Sequence, residues 1–204
     1  QIPVSVWEKA APWLFVAGVA ASTGEGADVD VRLSHPIYSE VIRGQLSMAA
    51  TRSALAEVVE RIGPHQRSGD DLRMTVWQLD AGGAPSVESL VRAARAAISG
   101  RDLLLACRLT RAAQAIVPNH PAASLVLSDA LYEIGDFAGS AAECTSALGV
   151  ATDPREQGLL VASLYRAYLW GLDAADEALA VVDFALAVTP DPAAQSFLTV
   201  AAAN

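Results

Sequence analysis

Two cysteines, three histidines and a single lysine, Lys9, are all that this 204-residue chain holds of the residue types that build disulfide frameworks, metal sites and dense phosphate contacts. Cys107 and Cys144 lie within segments of helical periodicity and read as small buried thiols, with a bridge between neighbouring segments as the lesser alternative. Reduced thiols fit a cytoplasmic location. His35, His65 and His120 are too dispersed for a ligand cluster, so no metal is expected. With 18% charged residues, scattered arginines and a net charge of −9, direct nucleic-acid binding is not expected, because phosphate contacts need clustered Lys and Arg. The apolar run 10–21 falls short of the ~20 residues that cross a bilayer, so no membrane partner is expected. It follows Lys9, and Val19-Ala20-Ala21 imitates a leader cleavage site, but Glu8, the lone positive charge and Pro12 favour a buried helix or strand. The polar loop 22–27 lacks the Gly-Lys-Ser/Thr ending of a phosphate-binding loop. No Ser-His-Asp, Cys-His or paired-carboxylate constellation can be assembled, and Glu133 and Glu143 read as solvated helix faces. The chain is therefore not expected to be an enzyme, nor to hold a cofactor of its own.

What the chain does have is apolar content, 52% of its residues and rich in alanine, which is ample for a core and favours closely packed helices. Between residues 86 and 190 one two-helix pattern is written three times. In the middle copy Gly135-Asp136-Phe137 separates two apolar-periodic segments, 122–134 and 138–148. Gly100-Arg101-Asp102 and Gly171-Leu172-Asp173 repeat the break. Glycine suits a left-handed helix end, and an adjacent aspartate can cap the next helix. Beyond each break a small residue recurs, Ala106, Ser140 and Ala178, followed seven residues later by Ala113, Ala147 and Ala185. Prolines at Pro118, Pro154 and Pro190 are expected to stop each second helix.

A period of about 34 residues with this punctuation resembles the tetratricopeptide repeat, a helix hairpin that buries its apolar face only by stacking. The resemblance covers about half the chain. Leu127-Ser128 is the best match to the large-small pair of the first helix, and extra residues near Gly100 and Gly171 lengthen two copies. It implies a mainly α fold: a right-handed α-solenoid over residues 85–204, with a fourth unit begun at 191–203. Its partial last unit and a start at Gln1 read as a piece of a longer chain.

Upstream, Val29, Val31 and Leu33 alternate with Asp30 and Arg32 as a short strand. His35-Pro36 opens a helix with Ile37, Val41, Ile42 and Leu46 on one stripe. A second helix spans 48–62 and carries Leu55, Val58, Val59 and Ile62. Gly63-Pro64 closes it, and a third spans 70–79. Arg32-Leu33-Ser34-His35-Pro36-Ile37-Tyr38-Ser39-Glu40-Val41, then Leu55-Ala56-Glu57, then Trp77-Gln78-Leu79-Asp80-Ala81-Gly82-Gly83 resemble, in that order, blocks of the large ATP-binding LuxR-type transcriptional regulators, relatives of the maltose regulator with a STAND ATPase. The resemblance implies a small winged-helix-like α+β segment with its following helix at 1–66, a connecting helix and Gly-rich turn at 67–84, and the repeats after it. It also implies ATP in an upstream ATPase module and a DNA-binding helix-turn-helix downstream, both outside this chain. His35 is then a candidate reporter of nucleotide state, beside the simpler reading of a helix cap or packing residue.

First helices of stacked hairpins line a concave surface. Counting back from the turn glycines places Arg95, Asp129 and Tyr165 at nearly equivalent positions, with Tyr132 and Tyr168 one turn further on. A groove of mixed charge with tyrosines suits a small polar effector, a peptide or a protein partner. The competing reading has the three tyrosines filling space between repeats. Two functions follow: sensor and linker of an ATP-dependent transcriptional regulator, or a free-standing repeat adaptor for protein-protein interaction.

Overall fold

The structure, a computed structural model, describes residues 17–18, 20–23, 30–62 and 70–188. The run 10–21 lies largely outside these residues, as do His65, Pro190 and the partial unit at 191–203. The chain divides into two compact units: one contains the strands and first two helices, the other all but the end of the third helix together with the repeats.

In the first unit β1 (Ala20–Thr23) pairs antiparallel with β2 (Asp30–Leu33), with Ala20 opposite Leu33 and Thr23 opposite Asp30. Ser22 and Thr23, expected in a polar loop, belong to this ladder instead. α1 (Pro36–Gln45) begins on a cap: His35 is extended, and its Nδ1 accepts from the Ile37 N–H at 3.2 Å. Pro36 sits in the first turn, where a missing N–H costs nothing. α2 (Met48–Ile62) has the expected limits, with Ser47 Oγ accepting from the Ala50 N–H at 3.1 Å. The α1 stripe of Ile37, Val41, Ile42 and Leu46 remains largely exposed.

In the second unit α3 (Asp71–Asp80) sets Leu72, Val76 and Leu79 against the core of the first hairpin. Three hairpins follow: α4 (Val87–Ser99) with α5 (Leu103–Ile116), α6 (Pro121–Ile134) with α7 (Phe137–Leu148), and α8 (Pro154–Arg166) with α9 (Ala175–Val188). A π-helical turn, Ala167–Gly171, extends α8. Ser86, Asp102, Asp136 and Asp153 cap α4, α5, α7 and α8 through side-chain oxygens, each satisfying an N–H that the first helical turn leaves open. The prolines divide these roles differently from the sequence expectation. Pro118 follows α5, but Pro154 opens α8, as Pro121 opens α6; α7 ends at Gly149.

From α4 to α9 each helix packs on its successor, and the first helices α4, α6 and α8 also pack on one another in sequence, more extensively than the second helices do. The core is built by small residues at the crossings: Ala106, Ser140, Ala178, Ala113 and Ala147 are fully buried, and Ala185 nearly so. Leu127 and Ser128 are fully buried as well. A polar seam joins α6 to α7, with Ser128 Oγ and Ser140 Oγ 2.8 Å apart and Cys144 Sγ donating to Ser128 Oγ at 3.0 Å. Both cysteines are free; Cys144 is buried and Cys107 half-buried.

The three turns solve one geometric problem in different ways. In the middle turn Gly135 takes φ 93°, and the Asp136 N–H reaches back to Leu131 O at 2.9 Å, a left-handed helix end. In the first, Gly100 stays at φ −82° and Arg101 takes φ 63°, with the Asp102 N–H reaching Ala97 O at 2.9 Å. The same motif is displaced by one residue. In the third, Asp173 takes φ 53°, and Gly171 serves close approach instead, since a Cβ there would overlap the Phe137 ring.

Two outcomes follow from this packing. No atom lies within 4 Å of a Cβ added at Gly135, so Gly135→Ala isolates the backbone cost of ~1–2 kcal/mol, less the gain from a stiffer unfolded chain. Urea denaturation should show a net loss of about 1 kcal/mol. Gly100→Ala, with ordinary contacts at 3.5 and 3.6 Å, should be neutral or stabilising by up to about 1 kcal/mol. Burial pushes the Cys144 thiol from its usual 9.0 up to about 11, against a smaller opposing effect of the Ser128 hydrogen bond. Above pH 9 the unfolded chain therefore loses this proton first, so stability falls as pH rises from 9.0 to about 11. The loss approaches ~2–3 kcal/mol, and Cys144→Ala should remove that part of the pH profile.

Candidate functional site

Across the first helices runs a cleft of about 410 Å³, walled by Arg95, Ile98 and Ser99 from α4, Leu125, Val126 and Asp129 from α6, and Leu159 from α8. Heptad-like spacing on each helix turns one face to the core and the next to this cleft: Val91 and Ala94 are buried while Arg95 is exposed. Arg95 and Asp129, named from sequence as equivalent positions one repeat apart, meet in it.

Beside them, Arg166 Nη2 donates to Asp129 Oδ1 at 2.6 Å, and the guanidinium lies 4.3 Å from the Tyr132 ring centroid. Tyr132 in turn meets Phe137 edge to face at 5.1 Å. Nε of Arg166 is enclosed without a hydrogen-bond partner. Arg166 is thus fixed from two sides, by a carboxylate and by the negative face of an aromatic ring.

The other two tyrosines are placed between repeats. Tyr165 is buried with Val161, Ala178 and Val182, and Tyr168 is half-buried against the cores on either side of α8. Tyr165 does not line the cleft. Arg166, which the sequence reading missed, is the residue of that turn that reaches Asp129. The signal available was the lengthened third copy, whose extra residues include the π turn and change the count from the turn glycine.

Glu143 is a correction to the solvated-face reading. Its side chain is 15% exposed and receives Arg111 Nη1 at 2.6 Å and Gln114 Nε2 at 2.7 Å, the latter also reaching Ser124 Oγ at 3.0 Å. Glu133 pairs with Arg101 at 3.2 Å. Both carboxylates tie one repeat to the next. His35 serves as the α1 cap; His120 precedes α6 with its Nδ1 enclosed and without a partner. Among the described residues no group of His, Cys, Asp and Glu is arranged to hold a metal ion.

No family model and no curated protein matches the chain. A solved structure titled "MamA RS-1 ArsTM double mutant" is similar over 76% of this chain and 86% of that one, with 18% identity and a TM-score of 0.48. An overlap that loose carries no argument. The helical-repeat architecture rests on the helices and contacts described above.

The partners around Asp129 are testable together. Arg166 and Asp129 are 37% and 40% exposed, so solvent screens the pair and Arg166→Met should cost only about 1 kcal/mol in thermal unfolding. A double-mutant cycle with Asp129→Asn should show positive coupling; additive losses would separate the two side chains energetically.

Proposed function

We propose that this chain is a helical-repeat binding scaffold, acting as the sensor and linker segment of an ATP-dependent LuxR-type transcriptional regulator. The observation that carries the scaffold reading is the meeting of Arg95 and Asp129 in one open cleft on the first-helix face. Such a cleft, with charged and polar groups set among aliphatic ones, suits an effector or a peptide of a partner protein. Binding there biases the stacking of successive first helices, and a solenoid passes such a bias along its length because each unit contacts its neighbours.

The regulator reading is supported by sequence order and by one surface. Arg32 to Val41 runs through the end of β2, the His35 cap and the first turns of α1, in keeping with a strand-to-helix junction in a winged-helix-like region. The exposed α1 stripe, continued by Met48, offers an upstream ATPase module an apolar face to pack on. In this reading the parent protein binds ATP upstream and DNA downstream in the cytoplasm, and His35 reports nucleotide state to the repeats. Among the described residues no helix is long and apolar enough to cross a membrane. A free-standing adaptor is the second reading; it rests on the same cleft and needs neither flanking domain.

ATP binding and promoter-DNA binding by the full-length gene product, set beside this chain alone, separate the two. The regulator reading expects the full product to bind both and this chain neither. A full product that binds neither leaves the adaptor. In either case Arg95→Ala should preserve the circular dichroism spectrum while weakening the identified ligand, and Asp129→Ala should change its affinity; unchanged affinity in both would remove the cleft from the binding surface.

A further inference from the structure

The two charged side chains that line the cleft are not equally answered. Asp129 is answered by Arg166 at 2.6 Å, and Arg166 is held in turn over Tyr132. Arg92, Arg101 and Arg111 are likewise answered, by Asp71, Glu133 and Glu143. Arg95, on the wall opposite Asp129, has no carboxylate partner among the described residues, and its side chain is exposed. The one carboxylate lining the cleft is therefore already paired and the one guanidinium is not, which leaves an unanswered positive charge within a chain whose net charge is −9.

Beside Arg95 the surface is aliphatic. Ile98, Leu125, Val126 and Leu159 line the same 410 Å³, and Leu159 is 40% exposed. The lining comes from three first helices in succession, so the cleft runs across the array. That shape takes an extended chain more readily than a compact molecule.

We infer that the cleft recognises a peptide segment in which an acidic side chain stands next to an aliphatic one. The acidic carboxylate docks on Arg95, where a planar guanidinium can hold both oxygens. The aliphatic side chain settles among Ile98, Leu125 and Leu159. Asp129 does not repel this ligand, because its charge is already met by Arg166. The inference rests on the cleft reading above and specifies the chemistry of its partner.

The test uses this chain and a set of fluorescent peptides of one length, identical except that Glu, Gln or Lys precedes a central Leu, read by fluorescence polarisation. The Glu peptide should bind about tenfold more tightly than the Lys peptide, with a preference that shrinks as salt is raised. Arg95→Ala should erase the preference and Arg95→Glu should invert it. Both variants change an exposed side chain, and circular dichroism checks that they fold. Leu159→Glu, which places a charge in the aliphatic part of the cleft, tests the location independently. If Leu159→Glu abolishes binding while Glu, Gln and Lys peptides bind alike, the charge inference is overturned and the cleft stands. If binding survives Leu159→Glu unchanged, or no peptide binds, the cleft reading falls and the inference with it.

Discussion

Two helices can lie side by side only as closely as the side chains between them allow, and in this protein Ala106, Ser140 and Ala178 set that allowance. Each is fully buried where a second helix crosses its neighbours. A larger residue at any of these points would push the axes apart from the 8–10 Å at which helices ordinarily pack. Because one hairpin cannot bury its own apolar face, the separation at each crossing decides whether the next hairpin finds a surface to stack on. The hydroxyl of Ser140 adds direction to closeness: it meets Ser128 across the α6–α7 crossing at 2.8 Å, and Cys144 joins the same seam. A fully satisfied polar contact of this kind fixes the register of two helices that an all-alanine interface would leave free to slide.

The cleft is a product of the same spacing. First helices that pack on one another bring side chains from successive repeats within reach, although Arg95, Asp129 and Arg166 are far apart in the chain. Polar contacts on other faces bridge neighbouring repeats, Arg101 to Glu133 and Arg111 to Glu143. Glu143 is the more enclosed of the two carboxylates, and Gln114 and Ser124 gather around it. Removing it would leave three polar groups short of a partner, which costs more than the loss of an exposed ion pair. The repeats are therefore joined by apolar crossings within the stack and by charge at its margins.

Much of this architecture was legible in the sequence because periodicity and punctuation are local. The limits of α2, the ends of α6 and α7, the aspartate caps at Asp102 and Asp136, and the burial of all six recurring small residues follow from spacing alone. What was not legible depended on contacts across repeats. Pro154 reads equally well as the end of one helix or the start of the next, and only the intervening turn at Gly149 decides between them. Gly100 resembles Gly135, yet the left-handed residue of that turn is Arg101, because the helix end is displaced by one position. Tyr165 and Arg166 are adjacent, and which of them turns toward Asp129 depends on the extra residues of the third copy. Glu143 carries the same charge as any surface glutamate until Arg111 and Gln114 are brought to it by stacking. His35 was legible as a cap, since a polar side chain before Pro36 can reach the open N–H groups of the first turn.

The π turn at Ala167–Gly171 shows how such an array absorbs a change in length. Leu172 bonds back five residues to Ala167 at 3.0 Å, so the helix takes in an additional residue as a wider loop of backbone and then continues to its end. Second-helix landmarks 34 residues apart between Ala106 and Ser140 become 38 apart between Ser140 and Ala178, yet Ala178 is as deeply buried as the others. The added length is taken up within α8 and its π turn, 154–171 against 121–134 in α6, and the burial at Ala178 is unchanged. A stack of this kind can drift in repeat length over evolutionary time, provided that each insertion is taken up before the next crossing is reached. The price is local: the widened turn brings Gly171 against Phe137, leaving that position no room for any side chain.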